Sequence, residues 1–478
     1  MAQTAQIRRI DRPENEAQRI FQLQREAYLG HPFPSLEERR QHLRAVEGVL
    51  LENRDAIASA IHQDFGHRCT EESLMLELFT CVEGIRQTLK KLPRWMRPQR
   101  RSVSLLFATG RNRVIPQPKG VVGIVSPWNY PLLLTVSPLT SALAAGNRAM
   151  IKMASHSQTL CRLLHEKLGA ALPEDVVAIL PGVPARDFST LPFDHLLFTG
   201  SADAGRTVMR AAAENLTPVT LELGGKSPTI VCDDFDVDEA ASRILYAKFV
   251  NAGQTCLAPD YLFLPEGARE RFVAAARRIL PGRYPDPKDP SYTSIIDEKS
   301  YRRLRATLED AEAKGATLVP LVPGAAFDDG LRKVPPHLVL DVTDEMAIMR
   351  EEIFGPLLPV KTYRDLDEVI AYVNAKDRPL GFYIFTNDRS REEKLLYSTI
   401  SGGVTVNDCM LHVAQHDMPF GGVGASGMGQ YHGWEGFAEF SKMRPVFTSP
   451  RFSLLHLFYP PYTARHRRTL DLLLRWRR

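Results

Sequence analysis

Cysteine is scarce and scattered in this 478-residue chain: Cys69, Cys81, Cys161, Cys232, Cys256 and Cys409, with no Cys-x-x-Cys pair. This pattern argues against a disulfide framework and a zinc site, and predicts reduced thiols in a reducing, cytoplasmic setting. Charge of one sign is lacking too. Sixty Lys and Arg face 56 Asp and Glu, a net of +4 that gives no footing for nucleic acid. No run reaches the roughly 18 apolar residues of a membrane span. Residues 1–11 show no apolar leader core, and the chain has neither internal repeats nor low-complexity tracts. The segment Gly200–Gly205 is G-x-x-x-x-G rather than the G-x-G-x-x-G dinucleotide fingerprint, and it lacks the Lys-Ser/Thr of a P-loop.

What is present is length and alternation. A chain of this size predicts two or three lobes. Residues 36–65 and 70–92 carry apolar residues at helical spacing, and 110–120 reads as a hairpin or connector. Short unbroken apolar runs then recur at 120–125, 149–153, 176–180, 195–199 and 219–223. Helical stretches at 132–145, 157–172 and 203–214 separate them. Strands covered by helices on both faces read this way, so the pattern predicts a doubly wound α/β sheet. A second α/β region follows, with helices at 236–250, 269–280 and 299–314 and strands at 261–264, 360–362, 383–386 and 403–406. The Pro-rich stretch 281–290 reads as a loop. A boundary near Gly225 predicts an interlobe cleft, where small-molecule sites are common.

Two residues stand out chemically. Glu222 lies in Leu221-Glu-Leu-Gly-Gly-Lys226, and Cys256 in Asn251-Ala-Gly-Gln-Thr-Cys256. They flank the boundary and offer a carboxylate and a thiol nucleophile. Asn129, in Ser126-Pro-Trp-Asn-Tyr-Pro131, reads either as an amide offered to an oxyanion or as an asparagine satisfying backbone in a Pro-flanked turn, the latter when taken alone. Lys152 ends a buried strand and reads either as a ribose or phosphate donor or as a solvated strand end. Gly200-Ser-Ala-Asp-Ala-Gly205 opens a helix after a strand, which suits an anion or a plain turn. His412 and His416 stand four apart without the Glu of a metalloprotease helix, so no metal site is expected. Five glycines crowd Pro419–Gly429, predicting irregular backbone near a ligand or an interlobe crossing.

Taken together these segments resemble the aldehyde dehydrogenase superfamily. The resemblance runs from Gly120 to Gly429 and rests on Pro127-Trp-Asn-Tyr-Pro131, Phe198-Thr-Gly-Ser201, Leu221-Glu-Leu-Gly-Gly-Lys226, Gly253-Gln-Thr-Cys256, Glu351-Glu-Ile-Phe-Gly-Pro356 and Pro419-Phe-Gly-Gly422, all in order. Residues 211–222 and 416–429 are similar to the class 3 branch, and within it to bacterial coniferyl aldehyde dehydrogenases. The resemblance implies a Rossmann-type cofactor domain (1–105 and 119–225), an α/β catalytic domain (226–422), and oligomerisation or bridging elements, including a small hairpin (106–118 and 441–478). It implies Cys256 as nucleophile, Glu222 as general base and Asn129 as oxyanion donor. NAD or NADP would be held by Trp128, Lys152, Ser155, Gly200, Ser201, Gly205, Leu223, Glu352 and Phe354, with a small-molecule aldehyde as substrate.

One departure bears on the cofactor. The family often has Lys-Pro-Ser-Glu, whose Glu accepts from the adenosine ribose. Here the segment is Lys152-Met-Ala-Ser155. Serine would not repel a 2′-phosphate as a carboxylate would, so NADP is expected to be tolerated beside NAD. The tail is apolar and aromatic at 452–459, then basic with Leu470, Leu472, Leu473, Leu474 and Trp476. Packing across a homodimer is the favoured reading, over an amphipathic helix on anionic lipid. Three functions stay open. One is oxidation of an aldehyde to its acid, with an aromatic coniferyl-type aldehyde favoured over a long-chain fatty one. The second is transfer of the acyl group to coenzyme A, against which Glu222 counts. The third is a catalytically silent binding homologue. Trp128, Tyr130, Met410, Leu411 and Phe420 are candidates for an apolar substrate tunnel.

Overall fold

The computed structural model describes residues 15–104, 107, 109–451 and 459–475. The stretch 1–11, most of the aromatic run (452–458) and Trp476 lie outside the described residues.

Five of the apolar runs become parallel strands of one sheet. Its spatial order is Gly427–Met428, Val219–Glu222, His195–Thr199, Val121–Ser126, Arg148–Met153 and Val177–Ile179; only the first pairs antiparallel. Every residue of Val121–Ser126 and His195–Thr199 is buried, which is why these strands show no polar alternation. Helices Leu133–Ala145, Gln158–Ala171 and Ala202–Ala213 connect them. Gly427 (φ +145°) shows why the chain returns as glycine: a Cβ there would fall 2.1 Å from the Leu221 carbonyl oxygen.

A second sheet holds seven strands, in the order Thr317–Pro320, His337–Leu340, Leu357–Tyr363, Tyr261–Pro265, Pro228–Val231, Gly381–Phe385 and Gly403–Val406. Its core includes Ile230, Leu262, Phe272 and Ile384. A third, small sheet joins Gln99–Arg101, Arg111–Pro118 and Ser441–Thr448, all antiparallel. It therefore begins at Gln99, ahead of the 106–118 stretch read as the hairpin. The architecture is the α/β arrangement expected, with two open, largely parallel sheets.

Local details depart from the sequence reading. The helix expected over 70–92 is not uniform: Ser73–Phe79 is a π-helix between two α-helical segments. The helix Arg269–Arg283 continues past Pro281 into the stretch read as a loop. Strands Pro228–Val231, Thr317–Pro320 and His337–Leu340 were not foreseen, because each is short and carries a proline or polar residue at its edge. The terminal helix Ala464–Arg475 buries none of its residues. Among the described residues, no helix is long and apolar enough to cross a membrane.

Candidate active site

The carboxyl ends of the first sheet's strands open onto one cleft, where ligands of open α/β sheets bind, and the second sheet contributes the segments that precede Tyr261–Pro265 and Leu357–Tyr363. A cavity of about 190 Å³ there is lined by Pro127, Trp128, Asn129, Leu134, Thr199, Gly200, Ser201, Glu222, Leu223, Gly224, Cys256, Glu352 and Phe354. Nine of the twelve candidate residues thus share one cavity. Lys152, Ser155 and Gly205 do not line it. Lys152 is half-buried and donates from Nζ to the Met153 carbonyl at 3.0 Å. Ser155 starts the short 3₁₀ helix Ser155–Ser157, and Gly205 lies in the first turns of Ala202–Ala213.

Glu222 is the last residue of its strand and is 1% exposed. Among the described residues, neither carboxylate oxygen has a hydrogen-bond partner. Burial, with a further push from the Glu439 carboxylate, raises its pKa well above the usual carboxylate range. An unpartnered buried carboxylate is costly unless a ligand or water meets it in use.

Cys256 is partly exposed and its thiol is free. Desolvation, then the nearby Glu352 and Glu222 carboxylates, push the thiol up to about 12, while its own N–H and that of Leu257 oppose this. The loop before it is unusual. Asn251 (φ 53°), Ala252 (φ 50°) and Gly253 (φ 73°) are left-handed in succession. Such conformations persist where surroundings over-determine them. Here Gln254 does so: its Nε2 donates to the carbonyls of Asn251 and Ser294, both at 3.0 Å, and its Oε1 accepts from Ile296 N–H at 2.9 Å. A Cβ at Gly253 would meet the Gly355 carbonyl oxygen at 2.3 Å. Gly253→Ala is therefore expected to lower stability by about 2 kcal/mol or more. Denaturant titration beside wild type checks this, and an unchanged midpoint would contradict it.

Asn129 is buried beside the thiol loop, its Nδ2 donating to the Gln254 carbonyl at 3.2 Å. A carboxamide nitrogen has a second N–H to offer into the cavity. The Tyr130 hydroxyl bonds Thr255 Oγ1 at 2.8 Å, so Tyr130 ties the two loops together rather than lining the cavity. Phe420 is buried against Tyr431 and His432, and Leu411 is half exposed. Of the proposed tunnel residues, only Trp128 lines this cavity.

On the far wall, Glu352 accepts from Gly225 N–H at 3.1 Å, and burial raises its pKa to about 7. Phe354 (φ 46°) sets its ring edge-on to Trp128, 5.4 Å between centroids. Two residues the sequence reading gave no role hold this wall. Lys226 Nζ bonds the Asp260 carboxylate and the carbonyls of Ile348 and Glu351, the last two at 2.8 Å. Asp260 Oδ1 accepts from Ile353 N–H at 2.9 Å. Lys226, beside the paired glycines, was the visible signal. His412, in contrast, bonds Thr405 Oγ1 through Nδ1 at 2.9 Å.

These residues fit a dinucleotide. The helix Ala202–Ala213 presents its N-terminus at Gly200–Ser201, suited to a pyrophosphate. Trp128 and Phe354 give an apolar wall, and Glu352 an acceptor. A thiol, an unpartnered carboxylate and an amide facing one cavity can together support addition to a carbonyl, oxyanion stabilisation and proton abstraction.

Comparison with known proteins agrees. The Aldehyde dehydrogenase family matches residues 3–446. The chain is 49% identical over 466 residues to a protein of Pseudomonas aeruginosa named "Probable coniferyl aldehyde dehydrogenase", covering 97% of each. It is 46% identical over 428 residues to the "Coniferyl aldehyde dehydrogenase" of a Pseudomonas species, covering 88% of each. The substrate-bound structure of Staphylococcus aureus AldH superposes with a TM-score of 0.90 at 32% identity, covering 96% of this chain and all of that one.

Proposed function

This chain belongs to the aldehyde dehydrogenase family and is an NAD(P)-dependent oxidoreductase that converts aldehydes to acids; we propose that its preferred substrates are aromatic aldehydes of the coniferyl type, oxidised through a covalent acyl-cysteine. The observation that carries the mechanism is the convergence of the Cys256 thiol, the Asn129 amide and the unpartnered Glu222 carboxylate on one cavity. The names of the two Pseudomonas relatives support the substrate class.

Cys256 adds as thiolate to the aldehyde carbon, forming a thiohemiacetal oxyanion. The Asn129 amide and the Cys256 N–H stabilise that oxyanion, a contribution of about 3 kcal/mol for one such donor. A nicotinamide held in the cleft would supply the acceptor for the hydride that the carbon loses when the oxyanion collapses. Collapse of the oxyanion leaves a thioester on Cys256, which is more electrophilic than the corresponding ester. Glu222 takes a proton from water, and the hydroxide displaces the thiolate to release the acid. Glu352 and Phe354 would orient the nicotinamide end, Trp128 and Leu223 line the cleft, and Gly200, Ser201 and Gly205 would hold the pyrophosphate. Lys152 and Ser155 take the adenosine ribose.

For the assembly, residues 1–105 with 119–225 form the cofactor domain and 226–422 the catalytic domain. The small sheet and the C-terminal segment join two copies into a homodimer. Support comes from the helix Ala464–Arg475, whose leucines Leu470, Leu472 and Leu474 are exposed among the described residues.

Coniferaldehyde, benzaldehyde, hexanal and decanal, each with NAD and NADP, test the substrate reading. Coniferaldehyde is expected to give the highest kcat/KM; a higher value for decanal would replace the aromatic reading with a fatty one. NADP is expected to work within about a hundredfold of NAD, some 2.7 kcal/mol. Ser155→Glu should lower kcat/KM with NADP by about tenfold or more, through charge repulsion with the 2′-phosphate. An unchanged ratio would remove Ser155 from the cofactor site.

A further inference from the structure

Asn129 and Cys256 sit on loops from different sheets, and no covalent feature holds them in register. The contact between them runs through the floor of the cleft, where a short N-terminal segment contributes three charged side chains. Arg68 and Glu77 are essentially inaccessible, and Glu72 is 8% exposed.

Each has a defined backbone partner in the site. Glu72 Oε2 accepts from Asn251 N–H at 3.1 Å, the first left-handed residue of the loop leading to Cys256, and from Thr293 Oγ1 at 3.1 Å. Glu77 Oε2 accepts from Leu132 and Leu133 N–H at 2.8 and 3.2 Å, capping the helix that follows Asn129. Arg68 pairs with Glu77 at 3.1 Å and donates from the same Nη1 to the Asn129 carbonyl at 2.5 Å. Its guanidinium lies 4.9 and 4.7 Å from the rings of Phe65 and Tyr130. Asn251 Nδ2 completes the stitch, donating to the carbonyls of Asn129 and Gln254 at 3.1 Å each.

The π-helix makes this possible. Glu72 and Glu77 are five apart, a spacing that diverges in an α-helix. Glu72 immediately precedes the π-helix Ser73–Phe79 that carries Glu77, and the wider i→i+5 turn reduces the angular separation of residues five apart. Buried charges of this kind are costly compared with apolar packing, and Arg68 leaves Nε and Nη2 unpartnered. Such a cluster is retained most readily where it fixes a geometry.

We propose that Arg68, Glu72 and Glu77 are positioning residues, which set the distance and angle between the Asn129 amide and the Cys256 thiol. This rests on the thiol–oxyanion reading above. They touch neither substrate nor cofactor and act through Asn251 and Asn129.

The experiment uses the full-length protein, NAD and an aldehyde it oxidises. It reads the single-turnover rate of cofactor reduction, the NAD Kd by tryptophan quenching, and Tm. Glu72→Ala frees the Asn251 N–H and is expected to slow the single turnover by about 30-fold or more, since displacements near 1 Å in such sites reach about a hundredfold. The NAD Kd should stay within about threefold, because cofactor contacts are untouched. Glu72→Gln keeps an acceptor oxygen and should recover most of the rate. An unslowed Glu72→Ala, or losses of rate and NAD affinity in equal measure, would overturn the proposal. Should Glu72→Ala not fold, Glu72→Asp withdraws the carboxylate by one methylene; about tenfold slowing is expected, and an unchanged rate overturns the proposal. Cys256→Ala in the same assay separates the two readings. Cofactor reduction surviving in it would end the thiol reading itself, whatever Glu72 does.

Discussion

Cys256→Ala is expected to abolish aldehyde-dependent reduction of the cofactor, by about 10⁴-fold or more in kcat, as removal of a covalent nucleophile does. Tm and NAD affinity should remain near wild type, because the side chain fills a partly open position at the cavity wall. The other five cysteines cannot substitute, since all are buried away from the cavity. A second consequence concerns reactivity. The thiol is pushed up to about 12, by burial first and then by Glu352 and Glu222. Only the thiolate reacts, and below the pKa its fraction rises tenfold per pH unit. Alkylation of Cys256 by iodoacetamide should therefore climb steadily from pH 7 to 9, and faster in Glu352→Gln than in wild type. A plateau within that range would mean that burial and the two carboxylates do not hold the thiol up, and equal rates in Glu352→Gln and wild type would remove Glu352 from its control.

Glu222→Gln should separate the two halves of the reaction. The carboxamide preserves shape but cannot take a proton from water. A burst of reduced cofactor close to one per site is expected, followed by a steady state slowed by about 10²–10³-fold. The acyl group should then be recoverable on Cys256 by mass spectrometry. Loss of the burst together with the steady state would assign Glu222 to thiol activation instead. The pH dependence has a definite sign. The base works ionised, and its pKa is raised by burial and by Glu439. Deacylation should therefore increase with pH through a range above that of an ordinary carboxylate, and fall as the carboxyl is protonated below it. Glu439→Gln removes a like charge and should move this limb to lower pH. A limb that stays in place would show that burial alone sets it.

The strands of the first sheet were legible because strands covered on both faces carry no polar alternation. Short strands such as Pro228–Val231 were not, since four residues opening on proline look like a loop. Cys256 and Glu222 were legible because each sits in a compact motif beside glycines. Arg68, Glu72 and Glu77 were not, because charged residues at helical spacing read as a solvated face. Nothing local distinguishes them from Glu37 or Arg44, which are exposed. The same holds for the Lys226–Asp260 pair, whose members lie in separate motifs and meet only at the wall that carries Glu352.

The sequence by itself determined the α/β class, the family and the identity of the thiol and the carboxylate. Those follow from hydrophobic pattern and short motifs, which are properties of neighbouring residues. Tertiary structure alone decided that Glu222 makes no hydrogen bond among the described residues, that two carboxylates lie near Cys256, and that an ionic cluster underlies Asn129. The free energy of a charged group depends on the solvent it loses and the groups it meets. For Arg68 and Asn129, or Glu72 and Asn251, the fold brings those groups together from distant parts of the chain.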